Sequence, residues 1–158
     1  MSEAPPTGIV EHIHVTPERG MAMRPLAEAR LVAGRGIIGD RYHLGTGTYS
    51  KKHGPDRELT LIAAEVIDEI AAEHGIELSP GEHRRNITVR GLQLNPLVGR
   101  RIRIGEAVVV VVRLNEPCRY LERITGKPLY LPLMNRSGLN CRILVDGTVR
   151  LGDPVIPL

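Results

Sequence analysis

The chain has 158 residues, a net charge of +3 and a pI near 9.1. That length suits one domain with its own core, and so small a charge argues against a duplex nucleic-acid binder while favouring anionic ligands. With no Trp or Phe and four Tyr, the chain lacks stacking platforms for single-stranded nucleic acid, and its core must come from Val, Ile and Leu.

No apolar run reaches the ~18 residues of a membrane span. The start, Met1-Ser2-Glu3-Ala4-Pro5-Pro6, has no basic region followed by an apolar one, so no signal peptide is expected. The two cysteines, Cys118 and Cys141, form no Cys-x-x-Cys, which excludes a zinc ribbon or a dithiol redox motif. Sparse cysteine fits the cytoplasm. No motif bears on oligomeric state.

Residues 1–7 read as a flexible lead-in and 8–158 as a single domain. Gly8 to Val15 alternates imperfectly and predicts a strand, with His12 and His14 on a partly exposed face. Glu28 to Ala33 predicts another. Gly34, Gly36 and Gly39 match a Gly-x-Gly-x-x-Gly string, but no helical pattern follows, so a dinucleotide-binding turn is not predicted. Residues 44–56 are rich in Gly, Thr, Ser, Lys and His. They read either as a solvated loop or, together with His43, Lys51, Lys52, His53 and Arg57, as a basic lid over an anionic ligand.

Glu58 to Ile62 predicts a strand. Ala63 to His74 predicts a helix with Val66, Ile67, Ile70, Ala71 and His74 on one face, its carboxylates solvated on the other, and Gly75 as its end. Arg84, Arg85 and Asn86 stand at the entrance of a strand from Ile87 to Val89, where planar guanidinium groups could grip a carboxylate or phosphate. Residues 92–98 are irregular. Arg101 to Ile104 alternates, Gly105-Glu106 turns, and Ala107 to Val112 reads as a buried strand.

The stretch Arg113 to Arg123 follows that strand directly. Pro117 suits the first turn of a helix, and Asn115 or Glu116 could cap it. Cys118 therefore falls where a buried strand hands over to a helix, with Arg119 and Arg123 nearby. Such positions can depress a thiol toward ~3.5–7.5 and favour the reactive thiolate. The alternative is a small apolar side chain packed under the helix. Beyond Gly126-Lys127-Pro128, a second short helix is predicted over Leu129 to Met134. A strand follows from Leu139 to Val145, holding Cys141 in the core. Asp146-Gly147 reads as a hairpin turn returning through Thr148 to Leu151, and Gly152-Asp153-Pro154 turns again before Val155-Ile156. Many short strands with two or three inserted short helices predict a mainly β domain, a closed or partly open barrel.

The ordered set Gly36-Ile37-Ile38-Gly39-Asp40, Arg85-Asn86-Ile87, Gly99, Gly105, Glu116-Pro117-Cys118, Gly138, Arg142-Ile143-Leu144, Asp146-Gly147 and Gly152-Asp153 resembles the MOSC domain over about residues 8–156. This is the C-terminal domain of molybdenum-cofactor sulfurases, and it also occurs alone in small bacterial proteins. The resemblance implies a β-barrel in which Cys118 matches the family cysteine, as a molybdenum ligand or a persulfide carrier. The molybdenum cofactor (molybdopterin) is an anionic pterin phosphate, so Arg84, Arg85 and Arg41, with Asn86, Asp40 and Arg119, become its expected binders. A thiolate is both a soft ligand and a nucleophile.

As a metal ligand, Cys118 would serve the reduction of N-hydroxylated small molecules, with electrons from a separate reductase. As a persulfide, it would take sulfur from a cysteine desulfurase. Pyridoxal phosphate, associated with fused family members, is not expected in this chain. Asn115 stands where some relatives carry a second cysteine, so no disulfide relay through Cys118 is expected. The remaining alternative is a non-catalytic module that binds an anionic small ligand in a basic cleft.

Overall fold

A computed structural model describes residues 6–18, 20–44 and 57–158. The predicted 44–56 lid therefore lies, from residue 45 onward, outside the described residues. Seven strands close into a barrel: β1 (Gly8–Val15), β6 (Ile87–Arg90), β5 (Leu59–Ala63), β9 (Leu139–Val145), β8 (Ala107–Leu114), β7 (Arg101–Ile104) and β11 (Pro154–Pro157), which returns to β1 through Gly8 and Ile9. The β5–β6 pair is parallel and the other pairs are antiparallel. β2 (Arg24–Pro25) extends the sheet beside β1, and β3 (Glu28–Val32), β4 (Gly36–Ile37) and β10 (Gly147–Arg150) form a separate three-stranded sheet.

The barrel interior is aliphatic, as the missing Phe and Trp require. Val10, Ile13, Leu59, Leu61, Ile87, Val89, Ile102, Ile104, Val109, Val111, Ile143 and Val155 fill it. A bulge between Val10 and His12 breaks the two-residue period of β1, so Val10 and Ile13 both face inward. Glu58 joins the two sheets: its buried carboxylate accepts the N–H groups of Gly34 and Ile143, each at 3.0 Å.

A parallel pair needs a crossover, and α2 (Ala64–His74) supplies it between β5 and β6. Gly75 ends α2 at φ 67°, its N–H bonded to the Ala71 carbonyl. Ala64 and Ile70 are its buried residues, whereas His74 is exposed. The α2 carboxylates are not merely solvated: Glu65 accepts the Gly91 N–H, Asp68 pairs with Arg90, and Glu69 and Glu73 both hold Arg136.

Several expectations change. One helical turn, α1 (Arg41–Leu44), does follow the glycines, but β4 before it is two residues long and antiparallel to β3, which leaves no dinucleotide-binding turn. Residues 95–97 form a single 3-10 turn within the irregular stretch. Residues 130–136 make successive turns rather than a helix; Pro132 within them has no N–H to donate.

The Asp146-Gly147 hairpin is absent. β9 pairs with β8 and β5, while β10 crosses to pair with β3. Asp146 instead accepts the Ala33 N–H at 2.7 Å, and Gly147 passes so close to Glu106 that a Cβ would fall 2.4 Å from its carbonyl carbon. Gly105-Glu106 is the genuine hairpin turn, joining Ile104 and Ala107.

His14 is also not on a partly exposed face. It is 1% exposed beneath the Gly81 turn, and among the described residues no cluster of His, Cys, Asp or Glu could hold a metal ion.

Candidate functional site

The end of β8, the segment after it, β5 and β9 enclose a cleft of about 260 Å3. Its walls include Arg57, Thr60, Arg85, Arg113, Asn140 and Cys118. Thr60 and Asn140 face each other across β5 and β9, and Arg113 faces Asn140 across β8 and β9. Arg113 reaches that position through a register shift between Val111 and Arg113. Val111 stays in the core, Val112 is 42% exposed, and the next side chain comes level with the cleft.

The segment leading to Cys118 is pinned by one glycine. Asn115 donates its N–H to the Gly138 carbonyl at 2.8 Å and its side-chain amide to Asn140 Oδ1. Gly138 sits at φ 104°, and a Cβ there would lie 1.9 Å from the Leu61 carbonyl oxygen. No other residue type permits this approach.

The helix starts later than predicted. α3 runs Arg119–Thr125, and Cys118 itself is the extended N-cap residue (φ −135°, ψ 152°), without a side-chain capping bond. Cys118 is half-buried. It lines the cleft and also packs against a small apolar cluster of Ile70, Leu121, Leu129 and Leu133. Cys141 has the opposite setting: it is fully buried in the barrel, and burial pushes its thiol well above the ordinary range.

Arg85 is held in the cleft wall by three side-chain hydrogen bonds. Its Nε donates to the Ser137 carbonyl at 3.0 Å, Nη2 to Ser137 Oγ at 2.7 Å and Nη1 to the His83 carbonyl at 3.2 Å. His83 Nδ1 accepts the Arg85 N–H at 2.9 Å, which leaves the ring proton on Nε2, 3.3 Å from Thr88 Oγ1. Burial first, then Arg85, His14 and His12, push the His83 imidazole down to about 3.

The remaining expected residues serve different places. Asn86, fully buried, accepts the N–H and hydroxyl of Thr60, each at 3.1 Å, and donates to the His14 carbonyl at 3.1 Å. It sets the position of Thr60 and does not line the cleft itself. Asp40 is buried, accepts the Thr16 N–H at 3.2 Å and lies 3.5 Å from Arg41. Arg41 donates to the Arg84 carbonyl at 3.3 Å. Arg84 takes φ 65° and turns to the Met21 carbonyl, so it lines a neighbouring groove with Gly81 and Thr125. Arg119 is 68% exposed, pairs with Glu122 at 3.0 Å and lies 4.3 Å over the Tyr130 ring.

Among the expected binders, Arg85 alone joins Cys118 in the cleft lining, while Arg113, Thr60, Asn140 and the orienting Ser137 enter without having been singled out. The one signal for Arg113 was a lone charge closing an apolar run. Arg57, expected as part of a lid, stands in the wall. A larger cavity, about 590 Å3, lies between α2, residues 91–96 and Arg136. It contains no thiol, and its carboxylates Glu65 and Glu69 are already engaged.

Fold and cleft together define a closed mixed β-barrel that carries a thiol in an arginine-lined cleft. The model of the MOSC domain matches residues 40–156, and the chain belongs to the MOSC domain family. The family is linked to the molybdenum cofactor and is often associated with reductases that depend on it. The structure is similar to that of the YUAD protein from Bacillus subtilis (TM-score 0.78, 21% identity, 94% of each chain covered). It is also similar to YiiM from Geobacillus stearothermophilus (0.73, 19%, 96% of this chain and 75% of that one) and YiiM from Escherichia coli (0.68, 20%, 95% and 69%). A comparison with curated proteins finds no match. Among the described residues no helix is long and apolar enough to cross a membrane.

Proposed function

We propose that this chain binds the molybdenum cofactor with Cys118 as the metal's protein ligand, and reduces N-hydroxylated small molecules in the cytoplasm with electrons from a separate reductase. One observation carries the reading: the Cys118 thiol shares a cleft wall with Arg57, Arg85 and Arg113. The donor set fits the group. A thiolate is a soft ligand, and guanidinium groups balance the negative charge of an anionic metal centre. At about 260 Å3 the cleft is smaller than the ~300–1,000 Å3 of drug-sized ligand pockets, which fits the metal-bearing end of the cofactor rather than its whole length.

When bound, the cofactor would supply a two-electron centre for N–O reduction, a reaction that takes up two protons and releases water, with Cys118 as its protein ligand. The protein supplies the rest. Arg85, held by Ser137 and His83, presents a fixed cation at little entropic cost. Asn115 and Asn140, bonded to each other, line the wall beside it, and the Thr60 hydroxyl there is already bonded to Asn86.

Protein made in cells with an intact cofactor pathway should carry molybdenum and pterin near one per chain, and Cys118→Ser should carry neither. The half-exposed thiol favours a second reading, in which Cys118 carries sulfur from a cysteine desulfurase as a persulfide. An added sulfur on Cys118 by mass spectrometry, with no molybdenum, would replace the first reading by the second. If Cys118→Ser bound the cofactor as the parent does, and Cys118 of the parent carried no added sulfur, both would fail, and a non-catalytic anion-binding module would stand.

A further inference from the structure

We infer that the outer face of β7, β8 and β9 is the docking surface for an acidic protein partner that serves the Cys118 cleft. Register places the residues. Arg101 lies opposite Val110 and Arg103 opposite Val108, and Val110 lies opposite Arg142 on its other side. A stripe of Val108, Val110 and Val112 thus runs down β8 with arginines on both flanks. Inward-facing Ile102, Ile104, Val109 and Val111 are 0% exposed, whereas Val112 is 42% and, on β9, Val145 is 51% exposed. An apolar centre rimmed by arginine has the composition of a protein interface.

Charge selects the partner. β7, β8, β9 and β11 contain Arg101, Arg103, Arg113 and Arg142 and no Asp or Glu, four positive charges against +3 for the whole chain. Arg101, Arg103 and Arg142 are exposed, and no described residue pairs with them. The face beside α2 is the reverse, with Arg90 and Arg136 each held by two carboxylates. A second copy docking by two-fold symmetry would bring arginine against arginine, which disfavours self-association. Nucleic acid would find no aromatic residue among these strands on which to stack.

Position gives the surface its use. The same strand that carries the valine stripe ends in Arg113 on the cleft wall. At ~3.4 Å per residue, Val108 lies about 17 Å from Arg113 along the strand, so a partner seated here borders the cleft mouth. The inference rests on the proposed function only for the need of a delivering partner.

The test uses an acidic flavodoxin as probe, with binding followed by amide chemical shifts and titration calorimetry. Binding should weaken about tenfold between about 20 and 200 mM salt, and shift changes should centre on residues 101–112 and 142–145. The triple variant R101E/R103E/R142E should bind at least about tenfold more weakly, whereas R24E/R30E/R35E, which reverses exposed arginines on and beside the small sheet, should bind as the parent does. Both variants should keep the parent Tm, and both should keep the parent affinity for molybdate at the cleft.

Equal losses in the two triple variants would overturn the proposal. So would no binding, or a preference of this face for duplex oligonucleotide or anionic vesicles. A dimer in sedimentation that R101E/R103E/R142E dissolves would assign the face to self-association instead. Repeating the titration on Cys118→Ser separates the two readings: flavodoxin docking that survives without bound metal supports the surface whatever becomes of the cofactor.

Discussion

Residues 140 and 141 of β9 are neighbours in the chain and belong to two different solvents. Asn140 faces the cleft beside Arg113 and Thr60, and Cys141 faces a barrel filled with aliphatic side chains. The contrast extends to the two thiols. Cys118 touches a polar cleft on one side and a small apolar cluster on the other, whereas Cys141 meets only the core. One barrel wall thus separates a region that excludes charge from one that gathers it. The wall is a single layer of backbone, with its hydrogen bonds spent on neighbouring strands.

The sharpest test of this division is alkylation of the folded protein. Cys118 should react with iodoacetamide at least about a thousandfold faster than Cys141, because Cys141 must wait for the barrel to open. Comparable rates, read by mass spectrometry, would break the contrast.

Gly138→Ala attacks the wall itself. A Cβ 1.9 Å from the Leu61 carbonyl oxygen must push the segment away, and the Asn115–Gly138 bond should go with it. We expect a loss of about 3 kcal/mol in urea unfolding together with a loss of cleft binding.

A third test is pH. His83 stays neutral in the fold because its imidazole is pushed down to about 3, while the unfolded chain takes up that proton near 6.5. Its contribution is therefore complete above pH 6.5 and is lost as pH falls from 6.5 toward 3, at up to about 1.4 kcal/mol per pH unit. His83→Gln should flatten the stability profile over that window. The smallest effect belongs to Arg119→Ala. Its pair with Glu122 lies at the exposed surface, so Tm and cofactor content should both stay at the parent values.

The barrel and the place of Cys118 between a buried strand and a helix were readable because each rests on local pattern: short apolar runs, turn residues, and a Pro-Cys after a buried strand. What was not readable depends on interruptions of that pattern. Arg113 reaches the cleft only because a register shift expels Val112, and strict alternation from Val111 would have placed it on the core face. Asp146-Gly147 has the residues of a hairpin, yet Asp146 is bound to Ala33 and the chain crosses to another sheet. Arg84 and Arg85 are adjacent and look equivalent in sequence, but the left-handed backbone at Arg84 sends the two guanidinium groups to different pockets. Asn86 has the chemistry of a ligand-binding residue; its partners Thr60 and His14 are 26 and 72 positions away, and only the folded chain shows that it is bonded to them.

β1 and β11 come from opposite ends of the chain, yet they are the pair that seals the barrel. During synthesis the cleft strands β5, β8 and β9 all emerge before β11, so every element of the thiol site leaves the ribosome while the cylinder is still open. Until β11 pairs, the edges of β1 and β7 stay open and the aliphatic interior between them stays uncovered. A fold with such distant pairing closes slowly, and in that interval it offers a chaperone the surface that the finished protein hides.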